Sequence, residues 1–211
     1  QGQARGGVEE VHADRPGRHP PVPAGLGVVG VHDVGPELAQ HPPQLGERRI
    51  RVQRDAQTPL VAMAWHSGAA PDRQSRVMEV LLSILGDGDS SRLHQRLVEQ
   101  ERAAVQVGTQ LEAGFDPGLA WVYAVAPPGF DVAKTEALID EEIARLAKDG
   151  PSTAELVKAR NQALAGFWRG LQTISGKAQA LGSYEVFHGD YRKLFDAPAV
   201  YESITAEDVQ Q

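Results

Sequence analysis

Leu85-Gly-Asp-Gly-Asp-Ser-Ser-Arg-Leu-His-Gln-Arg-Leu-Val-Glu-Gln100 joins an apolar helix to a glycine-rich turn and then to a second helix. Ahead of the turn, Val77, Val80, Leu81, Ile84 and Leu85 recur at helical spacing, and Gly86 and Gly88 end that helix. Behind it, Ser90 or Ser91 is placed to cap the next helix, whose Leu93 and Leu97 share a face. On these grounds alone the stretch is a helix–turn–helix corner.

Outward from the corner, the periodicity changes. Arg49-Ile-Arg-Val-Gln-Arg54 alternates polar and apolar residues, as a half-buried strand does, and Leu60-Val-Ala-Met-Ala-Trp-His66 reads as a more buried strand. After the corner, residues 103–112 and 120–126 read as two strands joined by the turn Gly114-Phe-Asp-Pro-Gly118. The last third is helical. Asp131 caps a helix over 132–148, with Leu138 or Ile139, Ile143 and Leu146 facing inward. Lys148-Asp-Gly-Pro151 breaks the chain, and Ser152-Thr-Ala-Glu155 forms a capping box for the next helix. That helix carries an apolar stripe, Leu156, Ala159, Ala163, Leu164, Phe167 and Trp168, which is expected to be core. Gly170 closes it, and Ile174, Ala178, Leu181 and Tyr184 begin another helix. Strand, strand, helix, helix, strand, strand, then helices is an α+β plan, an antiparallel or mixed sheet covered by helices on one face.

A composition break falls near Arg48. Residues 1–48 hold 7 of the 14 prolines and 4 of the 7 histidines, but no lysine and no aromatic residue. His19-Pro-Pro-Val-Pro23 and His41-Pro-Pro43 favour extended or polyproline backbone. The expected organisation is a poorly ordered leader over 1–48, with one weak strand at residues 25–32, and a folded domain over 49–211.

Several chemistries are excluded or disfavoured. A net charge of −7 gives no basic face for nucleic acid or for an anionic membrane surface. No apolar run approaches the length of about 18 residues that a spanning helix needs. With no cysteine there is no disulfide, thiolate metal site or cysteine nucleophile. No two of the seven histidines stand four apart, so no helix presents a two-histidine zinc pair. Ser90 and Ser91 follow a helix rather than a strand and lack the Gly-x-Ser-x-Gly pattern of a nucleophile elbow. Gly86-Asp-Gly-Asp89 places two carboxylates where a phosphate cradle needs none.

The order of these motifs resembles one family. Leu85-Gly-Asp-Gly-Asp-Ser-Ser-Arg-Leu93 is similar to the corner of the pitrilysin/insulinase zinc metallopeptidases, which include mitochondrial processing peptidase. Leu97–Val107 resembles the family's passage from helix to strand, and Asp149–Ala159 its later helix start. Gly182-Ser-Tyr-Glu185 and Ile204-Thr-Ala-Glu-Asp-Val209 resemble its late helix and terminal cap. The resemblance runs from Arg49 to Gln211 and implies one half of a two-half clamshell.

In that family one half carries His-x-x-Glu-His and zinc, whose motif glutamate activates water. This chain has no such motif, so the resemblance implies the zinc-free C-terminal-type half: not catalytic alone, with no metal and no cofactor of its own. Implied partners are a zinc-bearing homologous domain or subunit and peptide substrates, with a periplasmic setting. The family usually continues with a further helix and strand, so truncation at the C-terminus is expected. Ser90, Ser91, Arg92 and Leu93 form the structural corner, where Arg92 is expected to bond loop carbonyls or an acidic neighbour. The substrate-chamber positions carried over are Val98 and Val105, where many zinc-free halves place an arginine and a tyrosine. Neither valine has a side-chain hydrogen-bond donor. Arg96 and Arg102 are the nearest substitutes, and helical phase turns them to other faces. A non-enzymatic assembly subunit that keeps the fold is the alternative, and an unrelated α+β binding module a third reading.

Overall fold

The computed structural model describes residues 26–32, 46–53 and 56–211. Five strands make one sheet: β1 (Leu26–His32), β2 (Arg48–Gln53), β3 (Leu60–His66), β4 (Gln106–Glu112) and β5 (Leu119–Val125), in the order β2-β1-β3-β5-β4. β1 and β3 are parallel, and every other neighbouring pair is antiparallel. The sheet is therefore mixed.

Register explains which face is covered. Val61 pairs with Ala124, Met63 with Val122 and Trp65 with Ala120, and β5 pairs Ala124 with Val107 and Ala120 with Leu111. Paired residues point to the same side, so these form one apolar face. All of them belong to, or pack against, the main hydrophobic cluster, and Leu60, Trp121 and Tyr123 on the other side do not. α1 (Arg73–Gly86) lies over β4 and β5, and α2 (Val132–Asp149) lies over β3 and β1. Further along the sheet, Arg49 of β2 reaches Glu136 of α2 at 2.5 Å. α3 (Thr153–Gly170) packs on α1 as an outer layer, followed by α4 (Ile174–His188), a 3₁₀ turn (Tyr191–Asp196), α5 (Ala197–Ser203) and α6 (Ala206–Gln210). The described helices thus cover one face, as an α+β plan requires.

The helix starts follow their capping chemistry. Asp131 accepts from Ala133 N at 3.0 Å, and Ser152 and Glu155 form the full capping box of α3. Thr205 and Asp208 do the same for α6, while Asp208 also receives both Nη1 and Nη2 of Arg73 at 2.8 Å, tying α6 to the start of α1. α1 meets the sheet closely at its last turn. A Cβ on Gly86 would overlap the Thr109 side chain, whose hydroxyl donates to the Leu82 carbonyl at 3.0 Å. Only a glycine lets helix and strand come that near.

Three expectations are corrected. First, the strand at residues 25–32 is not a detached piece of leader. β1 sits between β2 and β3 and bonds to both, so residue 48 is not the sheet's boundary. The rest of the expected leader, through residue 45, lies outside the described residues. Second, no serine side chain caps the helix after the corner. Ser90 Oγ accepts from Lys158 Nζ at 2.5 Å, and Ser91 Oγ is buried without a partner among the described residues. Third, the apolar stripe of α3 is core only in its first half. Leu156 and Ala159 are buried, but Trp168 is 56% exposed.

Candidate functional site at the Ser-Ser-Arg-Leu corner

The corner is built around Arg92. Its Nε donates to Glu155 Oε1 at 2.7 Å and its Nη2 to Glu155 Oε2 at 2.9 Å, a bidentate pair. Nη2 also donates to the Gly150 carbonyl at 3.1 Å. One guanidinium therefore links the corner to the α2–α3 turn, 58 and 63 residues away in sequence. Glu155 serves two structures at once, since its Oε2 also accepts from the Ser152 backbone N–H at 2.8 Å. The Arg92 guanidinium, helped by Ser152, holds the Glu155 carboxyl down to about 2, against the burial that opposes its charge.

After Arg92 the chain forms a π-helical turn, His94–Gln100. Leu93 and Leu97 are fully buried and anchor it to the core. Arg96 pairs with Glu101 at 3.1 Å and lies 3.6 Å from Glu141. Arg145 reaches Glu142, almost fully buried, at 2.9 Å. The surface around the corner is thus a set of ion pairs, three arginines among four glutamates, and each of those arginines is engaged. Among the described residues, no three His, Cys, Asp or Glu side chains gather as a metal-binding group. His94 Nε2 lies 3.7 Å from Asp89 Oδ1.

The chamber candidates, Val98 and Val105 with Arg102 as a substitute, do not come together as a polar grip. Val98 is half-buried and packs against the core. Val105 is 59% exposed, and its N–H donates to Val125 O at 2.8 Å, extending the β4–β5 ladder. Arg102 is exposed and has φ +51°, the one positive value outside glycine among the described residues. That conformation costs an L-residue about 1–2 kcal/mol. Arg102→Gly is therefore expected to raise stability by about 0.5–1 kcal/mol, after allowing for the looser unfolded chain. Urea unfolding midpoints check this, and a lower midpoint would show that the arginine side chain contributes more than its backbone costs.

The sequence places Arg92 at a helix junction without naming its partner. The signal is present all the same, because the capping box already puts Glu155 at the start of α3. Glu142 and Arg145 stand i,i+3 on α2 and are a readable pair, but the approach of Arg96 to Glu141 and Glu142 has no such signal. Spacing along one helix does not show what a neighbouring helix brings.

The sequence model for "Peptidase M16 inactive domain" matches residues 20–163, which include β1, the corner and the Arg92–Glu155 pair. The chain belongs to this family. The chain is 31% identical over 164 residues to an uncharacterized zinc protease of Mycobacterium tuberculosis, covering 77% of this chain and 37% of that protein. A Streptomyces coelicolor uncharacterized zinc protease is 28% identical over 177 residues, covering 80% and 38%. The chain therefore spans less than two fifths of these curated relatives. Among solved structures, the inactive peptidase domain of a Bordetella parapertussis protein is 28% identical with a TM-score of 0.65, covering 75% of this chain and 84% of that one. A peptidase M16 inactive domain from Pseudomonas fluorescens shares the fold at 18% identity and a TM-score of 0.65, over 86% of this chain and 39% of that one. The match to the M16 inactive domain agrees with the resemblance carried by the corner motif.

Proposed function

We propose that this M16 inactive domain is the zinc-free half of a pitrilysin/insulinase-type metallopeptidase. It forms the substrate chamber with a zinc-bearing domain or subunit, and the pair hydrolyses peptides. The one-sided sheet carries this reading. Helices occupy one face, while the other offers Ile50, Val52 and Leu60 at 40–44% exposure beside half-buried Trp121 and Tyr123. A face that sets these apolar side chains beside the polar Arg48, Gln106, Gln110 and Glu112 suits an unfolded chain, and β4 at the end of the sheet has a backbone edge for an extended segment. The hydrolytic zinc would be held by the partner's His-x-x-Glu-His, since the 211 residues contain no such motif.

Mixing this chain with its zinc-bearing half is expected to raise the cleavage rate of a quenched fluorescent unfolded peptide well above that of either half alone. An unchanged rate despite complex formation would overturn the proteolytic role. That outcome would favour the second reading, a structural assembly subunit. The side chains at Val98 and Val105 support the second reading, because neither holds a peptide backbone by hydrogen bonds.

A further inference from the structure

α3 has two apolar sides. Leu156 and Ala159 face inward, where the helix packs on α1. On the outward side Ala154, Val157, Asn161, Leu164 and Trp168 follow one another at intervals of 3, 4, 3 and 4 residues. Helical geometry keeps residues so spaced within one arc of about 80°. Val157 is 46% exposed and Trp168 56%, Ala154 and Asn161 are exposed as well, and Leu164 is half-buried, reaching the core from this side. Phe167 meets the Trp168 ring edge-on, with centres 5.0 Å apart.

A helix whose outward side meets only water carries polar residues there. This one carries the alternating spacing of a helix-packing seam. Asn161 stands at its centre, a position where one polar residue fixes the register of paired helices. The flanks of the seam are basic. Lys158 and Arg169 lie along one border and Arg160 along the other. None of the three takes part in an ion pair among the described residues, although the chain as a whole carries a net charge of −7. Lys158 donates to the neutral Ser90 hydroxyl, and Arg160 Nε is buried with no partner among the described residues. Glu155, the one carboxylate of α3, is turned away into its pair with Arg92. A second copy of this seam would therefore bring cations to cations and offer no carboxylate.

We propose that the outward side of α3 is a docking seam for an amphipathic helix of another protein, one with an apolar stripe and acidic flanks. Its apolar side chains pack between Val157 and Trp168, and its carboxylates meet Lys158, Arg160 and Arg169. α1 lies between α3 and the sheet, so an occupant here leaves the open sheet face free. The seam is thus independent of the proposed peptidase role.

Two synthetic helical peptides of about three heptads test this. Both carry leucine at the seam positions; one has glutamate along its flanks, the other lysine. Fluorescence anisotropy of each labelled peptide is read against the full 211-residue chain. The glutamate peptide is expected to bind, and to weaken about tenfold or more between about 0.05 and 0.5 M salt as the flanking charges are screened. The lysine peptide should not bind. Arg169→Glu, at an exposed position, should weaken the glutamate peptide and favour the lysine one. Trp168→Ser should abolish binding of the glutamate peptide, whereas Ile174→Ser, 89% exposed on α4 and outside the seam, should leave it unchanged. Equal binding of the two peptides, no binding of the glutamate peptide, or binding that survives Trp168→Ser would overturn the proposal. So would self-association of the parent chain that Trp168→Ser removes, which would give the seam to a second copy.

Discussion

Gly118→Ala is expected to destabilise the fold by about 3 kcal/mol, near the upper end of overpacking costs. Gly118 ends the loop between β4 and β5, and a Cβ there would overlap the backbone carbonyl of Glu112. A flexible side chain would swing away, but this carbonyl has no such freedom. Glu112 pairs with Leu119 at the end of the β4–β5 ladder, and the Ser67 hydroxyl donates to the same carbonyl at 3.4 Å. The Gly118 carbonyl is held too, accepting from Ser67 N–H at 2.9 Å. Relieving the overlap therefore disturbs three strands together. Gly114→Ala, in the same loop, is the control, because its Cβ would meet nothing closer than 4.0 Å. Its expected change is within about 0.5 kcal/mol. Urea unfolding of both variants checks the pair, and equal effects would show that loop entropy, not overlap, is the cause.

Arg92→Ala is expected to cost about 2–4 kcal/mol, because it removes three charge-assisted hydrogen bonds and leaves a partly buried carboxylate without its cation. The side chains of Arg92 and Glu155 are 16% and 28% exposed, so solvent screens the pair only in part. Arg92→Lys should recover a fraction, since an ammonium keeps the charge but not the fork that meets both carboxylate oxygens. The pH dependence follows from Glu155. Its folded value lies below the ordinary 4.5, so the stabilisation is present above 4.5 and disappears as pH falls toward about 2. Unfolding midpoints of the parent should drop across that window, and those of Arg92→Ala should drop less. Parallel curves would mean that Ser152, not Arg92, sets the carboxylate's behaviour.

Local features were readable and distant ones were not. β2 follows from alternation, β3 from its apolar run, and the starts of α2 and α3 from the side chains of Asp131, Ser152 and Glu155, all within a few residues of what they control. The open sheet face is implicit in the same alternation. β1 is different. Leu-Gly-Val-Val-Gly-Val-His has two glycines and prolines on both sides, so its own propensity is weak. Its place depends on pairing with β3, about thirty residues on, which no local pattern reveals. Trp168 shows the same limit from the other direction: helical spacing names the apolar side of α3, but not whether anything lies against it. At the corner, the capping rule names a plausible job for Ser90 and Ser91. Ser90 instead meets Lys158 from α3, and Ser91 is enclosed by the core.

The position of β1 bears on how this protein is handled. A recombinant version begun at Arg49, where composition changes, would leave β2 without β1, its one neighbour in the sheet among the described residues. It would also bare the backbone of Val61, Ala62, Met63 and Ala64, the most apolar part of β3. Such an uncharged rim is a template for strands of other molecules. Trimming the proline-rich beginning in search of a tidier domain would exchange a folded product for an aggregating one.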